Sequence, residues 1–410
     1  MADDNTGRFG KSKTRYSRSS FSDSRIMLNF LRKFILFFTP YVSLFEMKVD
    51  RFFKNIKSTD SIFTIKKRLE NLMQMDLIVV NIWMEKKYKG YLYLSKGVRR
   101  KMYKNTSKIV RKFNDSIRIN PIKRDQIPVE FGLIDEEKMI YLAQIMNFLM
   151  PGKYYEYIET SSFGKLLNNP DEQKLEGDCN QIVTLYIYLY SLKFPISDLL
   201  IKLLPEHVCL HFHGVDIEAT NGTFAKYKVF EHILPATEII STNLMDLSDF
   251  REDAQKIPER TMVKSAQLAF AISSLKSFVA KNLNITYRNL GVAALKTNNF
   301  ETAIFYLSKT DDREALTSAY KNAAIYYMNS GNTAKAELYA DKSNDLNFKN
   351  DIKKSIASKQ YNELAKKVAH VKTTQDAKQY KYTFQKMLEL ARIIGDDALI
   401  NNVRDILNKI

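Results

Sequence analysis

Between positions 179 and 213 the chain places both of its cysteines and three of its five histidines. Cys179 follows Gly177-Asp178 and precedes the apolar run Ile182–Leu192. Glycine, then polar residues, then an apolar run predict a loop entering a buried helix, with Cys179 at or near its start. The free N–H groups and the dipole of a helix start favour a thiolate, the nucleophilic form of cysteine. The segment His207–Phe212 alternates with the two-residue period of a strand. His213-Gly214 predicts a two-residue hairpin turn, with Val215–Ala219 as the returning strand and Thr220-Asn221-Gly222 as its end. In that register Phe212 pairs with Val215, Cys209 stands opposite Glu218, and Asp216 stands opposite His211. Glu218 is then the diagonal neighbour of His207, within reach of a long side chain. The chemistry expected is a Cys179 nucleophile, a His207 base and a Glu218 acid that orients the imidazole, with Asp216 as the competing acid.

Two other readings of the same residues stand beside this one. Cys179 can be a structural cysteine and His207 a satisfied core histidine. Alternatively, Cys179, His207, Cys209, His211 and His213 can be read as zinc ligands, since thiolates and imidazoles suit that ion. Alternate residues of one strand lie about 7 Å apart and seldom share a metal, and no C-x-x-C pair occurs. No metal and no cofactor is therefore expected.

Three short elements in a fixed order carry a resemblance. Gly177-Asp178-Cys179, His207-Val208-Cys209 and Glu218-Ala219-Thr220 resemble the cysteine, histidine and acid elements of the transglutaminase-like superfamily, which has a papain-type fold. Pro205-Glu206-His207 is similar to the SirB-type branch. The resemblance covers Glu176–Phe224 closely and 136–240 loosely. It implies thiol chemistry on an amide bond: peptide cleavage, deamidation or acyl transfer. It also implies an oxyanion held by the Cys179 N–H and a second donor, for which Gln173 and Gln181 are candidates. The chain departs from the pattern twice, with Glu in place of Asp and Cys209 in place of an aromatic after the histidine. Some members of the superfamily look like non-enzymatic binding or scaffold versions.

The elements that must position these residues sit in a chain of 410 residues with 45% apolar content, enough for two or three domains. Two cysteines exclude a disulfide scaffold, and a polar, charged N-terminus carries no secretory signal, so a reducing, cytoplasmic location is expected. Residues 1–25 read as a disordered basic tail. Residues 26–125 form a basic region of unassigned fold. Within it Phe34–Phe45 is too short to span a bilayer and reads as a buried helix or else as one lying on a membrane surface, Ile62–Met75 as an amphipathic helix and Lys96–Phe113 as a basic helix. Leu77–Trp83 and Tyr88–Leu94 read as a two-stranded hairpin. Residues 1–125 hold 29 Lys/Arg against 11 Asp/Glu, a net of +18, whereas the rest hold 34 against 35. That asymmetry reads either as a solvated, lysine-rich surface or as attraction of the first third to nucleic acid or an anionic membrane, and no nucleic-acid motif occurs in it.

The α+β domain carrying the site is expected over 130–255, opened by a helix at Asp135–Met150. Residues 262–410 contain no proline and only three glycines, which favours continuous helices. A period of about 33 residues relates Leu290-Gly291 to Ala323-Ala324, Asn298 to Gly331, Ala303 to Ala336 and Tyr306 to Tyr339. These small and aromatic positions resemble the tetratricopeptide repeat. The resemblance implies a helical module that presents a surface to a peptide or protein partner, or a helical buttress. The fold class is thus multidomain α+β, papain/transglutaminase-like in the centre and all-α at the C-terminus.

Overall fold

The computed structural model describes residues 34–57, 59–128, 135–160, 162–246 and 258–410. The tail read over 1–25 lies outside the described residues. The chain divides into two units. One contains the described residues up to 246 together with Ala271–Ser274, and is mixed α/β. The other contains Pro258–Phe270 and Leu275–Ile410, and is all helical.

The first unit starts as helices, each begun by a short polar residue. Ser43, Ser61 and Ser95 accept backbone N–H bonds at the starts of Leu44–Lys54, Ile62–Met84 and Lys96–Ile119. The apolar run 77–83, expected as a strand, is the second half of the Ile62–Met84 helix. Every residue from Leu77 to Met84 is buried, and a short run buried on all sides has no periodicity that separates strand from helix. Asp76 breaks the regular backbone there (φ −169°, ψ 90°), and its Oδ1 caps Val79 N at 3.1 Å. The expected partner strand, 88–94, is instead a wide helical turn ending at left-handed Gly90, followed by irregular chain. The helix expected to be buried over 34–45 is also corrected. Phe34, Ile35, Phe37 and Phe38 are exposed, and Tyr41 is the first aromatic of this stretch to meet a core side chain, the Trp83 ring at 5.0 Å.

Arg99 binds these helices together. It is 2% exposed, reaches both Glu46 carboxylate oxygens (2.9 and 3.3 Å), and donates to the carbonyls of Leu94 and Pro40 at 2.7 Å. The Ile62–Met84 helix packs on the Cys179–Ser191 helix, whose middle is buried from Gln181 to Ile187. Two sheets flank that helix. β1 (Tyr155–Tyr157) and β2 (Leu175–Gly177) pair in parallel. The larger sheet is antiparallel throughout, in the order β6-β5-β4-β3-β7. Its strands are β3 (Leu200–Leu204), β4 (His207–Phe212), β5 (Val215–Glu218), β6 (Thr223–Ala225) and β7 (His232–Pro235).

In the second unit, Lys276–Lys296 and Phe300–Leu307 form one helix pair, and Arg313–Asn329 and Thr333–Lys342 form another. The 33-residue period fixes equivalent corners. Asn298 and Gly331 are both left-handed (φ 56° and 83°), and Asn299 and Asn332 cap the helices that follow. Buried Ala303 and Ala336 occupy matching places, as do Gly291 and Ala324. A Cβ on Gly291 would lie 2.6 Å from Leu307 Cγ, so the glycine is what lets the first pair approach. The helices Leu346–Val368, Thr374–Gln379, Lys381–Ile394 and Asp397–Lys409 follow. Among the described residues no helix is long and apolar enough to cross a membrane.

Candidate active site

Cys179 is the first residue of its helix. Asp178 caps the start, its Oδ1 accepting from Asn180 N at 2.9 Å and Gln181 N at 3.4 Å. Gln181 Oε1 returns a bond from Asp178 N at 3.1 Å, which completes a capping box. The N–H groups of both neighbours, Asp178 and Asn180, are thereby taken. The loop before the helix is held by the Gly177 carbonyl, which accepts from Tyr155 Oη at 2.8 Å and Ile158 N at 3.1 Å.

His207 begins β4 after a tight turn. Leu204 pairs with His207, so Pro205-Glu206 is a two-residue connection, and Glu206 takes the left-handed conformation (φ 55°). At the far end of β4, His213 (φ 45°) and Gly214 (φ 84°) are both left-handed, the geometry of a type I′ hairpin. That turn sets Phe212 opposite Val215 and His211 opposite Asp216. The two acids are thereby sorted. Glu218 Oε2 lies 2.8 Å from His207 Nε2, and Asp216 Oδ1 lies 2.6 Å from His211 Nδ1. Cys179 is the strongest single influence on the His207 ring, ahead of Glu218. Cys179 and His207 are partly exposed, while the Glu218 side chain is only 4% exposed. The site is thus open at the thiol and closed beneath the imidazole.

The electrostatics follow the contacts. The influence of Cys179, and then the hydrogen bond to Glu218, push the His207 pKa up to about 10 against the opposing effect of burial. Burial raises the Glu218 carboxyl, but hydrogen bonds from His207 and Thr220 outweigh it and hold the pKa below its usual value. Glu218 Oε1 accepts from Thr220 Oγ1 at 2.6 Å and Thr220 N at 3.2 Å, and Oε2 accepts from Tyr227 Oη at 3.0 Å. Burial pushes Asp178 up to about 7, and the charge of Asp246 adds to that. Burial also pushes Cys209 up to about 12, with Asp216 and Glu218 adding to it, so Cys209 is a neutral, buried neighbour.

Of the oxyanion candidates, Gln181 is already engaged. Its carbonyl caps Asp178, and its Nε2 faces Asp246 Oδ2 at 3.5 Å. Gln173 lies exposed in the bend before β2. Asp216 belongs to a second buried network with Lys202 Nζ (2.7 Å), Tyr227 N (2.6 Å) and His211. Among the described residues no three His, Cys, Asp or Glu side chains group as metal ligands.

Sequence reasoning missed Tyr227, Asp246 and Tyr157. Tyr227 comes nine residues after the acid it contacts, and no local pattern announces it. Tyr157 pairs with Gly177 across β1 and β2, a contact no spacing rule supplies. Burial raises its phenol, and the charges of Cys179 and Asp178 raise it further.

Compared with protein-family models, curated proteins and solved structures, the chain matches none.

Proposed function

We propose that the first unit is a thiol-dependent amide hydrolase or acyltransferase of the transglutaminase-like, papain-type kind, with Cys179 as nucleophile, His207 as acid–base and Glu218 as the positioning acid. The observation that supports it most is His207, whose Nε2 lies 2.8 Å from the buried Glu218 carboxylate and whose ring is influenced most strongly by the helix-start thiol of Cys179. In this reading the Cys179 thiolate attacks the carbonyl carbon of an amide, and the Cys179 N–H steadies the oxyanion. The C–N bond breaks as His207 gives its proton to the leaving amine. Water, or an acceptor amine, then attacks the thioester while His207 takes its proton, and the thiolate leaves. The His207 proton held below about pH 10 has its place in the first half of this cycle.

Iodoacetamide tests the reading. The native chain is expected to take one equivalent rapidly at Cys179, with Cys209 reacting only after denaturation. His207→Ala should slow the Cys179 reaction tenfold or more, on the usual scale of a removed acid–base partner. Equal labelling of the two cysteines, or a His207→Ala rate equal to wild type, would count against it. Hydrolysis of fluorogenic amides lost in Cys179→Ala gives the direct readout.

A second reading is favoured by the C-terminal unit, where Phe305 and Tyr326 are exposed on the repeated helices. The chain would then act as a scaffold in which tetratricopeptide-like repeats hold a peptide or protein partner. Under that reading Cys179→Ala leaves partner binding and cellular phenotype intact, whereas substitution of Phe305 and Tyr326 removes them.

A further inference from the structure

Apart from the thiol site, the first unit holds a cleft of about 280 Å³ between the Leu44–Lys54 and Ile62–Met84 helices. One wall carries Lys48, Arg51 and Asn55, at spacings of three and four residues that share one helix face. The other carries Arg68 and Asn71, three residues apart. Buried Phe52 and Leu72 lie among them as an apolar floor, and no acid lines the cleft. Among the described residues none of the three cations is paired with a carboxylate. Lys48 Nζ meets only the Met75 thioether at 3.3 Å, and the Arg68 guanidinium lies over the Phe52 ring at 5.3 Å. Asp50, the acid next to Arg51 in sequence, is engaged elsewhere by Tyr41 Oη (2.6 Å), Trp83 Nε1 (3.1 Å) and Lys54.

Three like charges lining one open cleft repel one another. Only an anion relieves it. A carboxylate brings one charge and two oxygens, and leaves cations unmatched. A phosphoryl group brings up to two charges and three oxygens. The two guanidinium forks, one ammonium and two side-chain amides supply donors in that number from both walls.

We propose that this cleft binds a phosphorylated ligand through a phosphoryl group. The inference uses none of the groups in the thiol site and stands or falls without it. It also gives the basic first third of the chain a definite place for an anionic partner.

The test is calorimetric titration of the full chain with sodium pyrophosphate at fixed ionic strength. Saturable binding of one pyrophosphate per chain is expected, weakened tenfold or more by Arg51→Ala/Arg68→Ala. Lys101→Ala, at an exposed position on the Lys96–Ile119 helix, should leave it unchanged. Circular dichroism checks the fold of each variant, and Lys48→Gln serves as the comparison should the double variant melt early. Phosphatidylcholine vesicles with and without phosphatidic acid separate the sources. Retention on phosphatidic acid that pyrophosphate displaces assigns a lipid headgroup. Pyrophosphate binding without vesicle retention assigns a soluble ligand. The proposal is overturned by three results: no saturable pyrophosphate binding, an equal loss in Lys101→Ala, or capture of vesicles or single-stranded oligonucleotides that neither pyrophosphate nor the double variant reduces.

Discussion

At the scale of single residues, Asp178 shows how a cap and a charge can oppose each other. It caps the Cys179 helix through two backbone N–H groups, yet burial and Asp246 lift its pKa to about 7. A carboxyl raised in the folded state contributes its stability when protonated. That contribution is complete below the unfolded value near 4 and is lost as pH rises through about 7. At about 1.4 kcal/mol per pH unit, the wild type should lose on the order of 2 kcal/mol between pH 5 and 7 from this group. Asn is an equally good N-cap and carries no proton to lose. Asp178→Asn is therefore expected to match wild type near pH 4 and exceed it at pH 8. Urea unfolding of both proteins across that range measures it, and parallel curves would remove the argument. The same scale shows what was legible in the sequence. The contact of Glu218 with His207 followed from strand period and the His213-Gly214 turn, because a two-residue hairpin admits one register. Tyr227 and Asp246 were not legible, because loops bring them in and loops carry no period.

At the scale of elements, legibility depended on whether one face of an element is wet. The Lys96–Ile119 helix keeps a basic face and a buried face, and its amphipathic pattern identified it. The half-helix Leu77–Met84 is buried on every side, and the pattern that should have separated it from a strand does not exist. What holds these helices is also invisible to period. Arg99 and Glu46 are an almost fully buried ion pair, with Tyr103 Oη at 2.6 Å and Val42 N at 2.6 Å completing Glu46. Replacing Arg99 with Met keeps volume and strands a buried carboxylate, which costs about 3–5 kcal/mol. Chemical denaturation of Arg99→Met should show that loss, and a loss below 1 kcal/mol would mean that Glu46 finds another partner. In the second unit the close pair made by Gly291 invites the opposite substitution. An added methyl meets Leu307 and the Ala303 carbonyl at 2.6–3.2 Å, so Gly291→Ala should destabilise by about 1–3 kcal/mol through overpacking, despite the better helix propensity of Ala. A thermal melt that rises instead would show that Leu307 yields at little cost.

At the scale of the whole molecule, charge is distributed more unevenly than structure. The net of +18 in residues 1–125 is divided between 1–33, with 8 basic against 3 acidic residues, and 34–125, with 21 against 8. The first group gives +5 and the second +13; within the second, 34–84, which includes the helices that frame the basic cleft, holds 7 against 5, and 85–125, which includes the Lys96–Ile119 helix, holds 14 against 3, so most of the excess lies on 85–125 rather than on the terminal segment. Polyanion affinity scales with the number of contacts made by Lys and Arg, and falls linearly in log–log form with salt. If the folded helices supply those contacts, a chain lacking residues 1–33 should remain bound to heparin and elute at a salt concentration reduced by about a quarter to a third, in proportion to the charge removed. The same chain carrying Arg51→Ala/Arg68→Ala should elute earlier still. Elution of the shortened chain in the wash would place the anion-binding charge in the terminal segment, and would make the +13 of 34–125 an ordinary solvated surface.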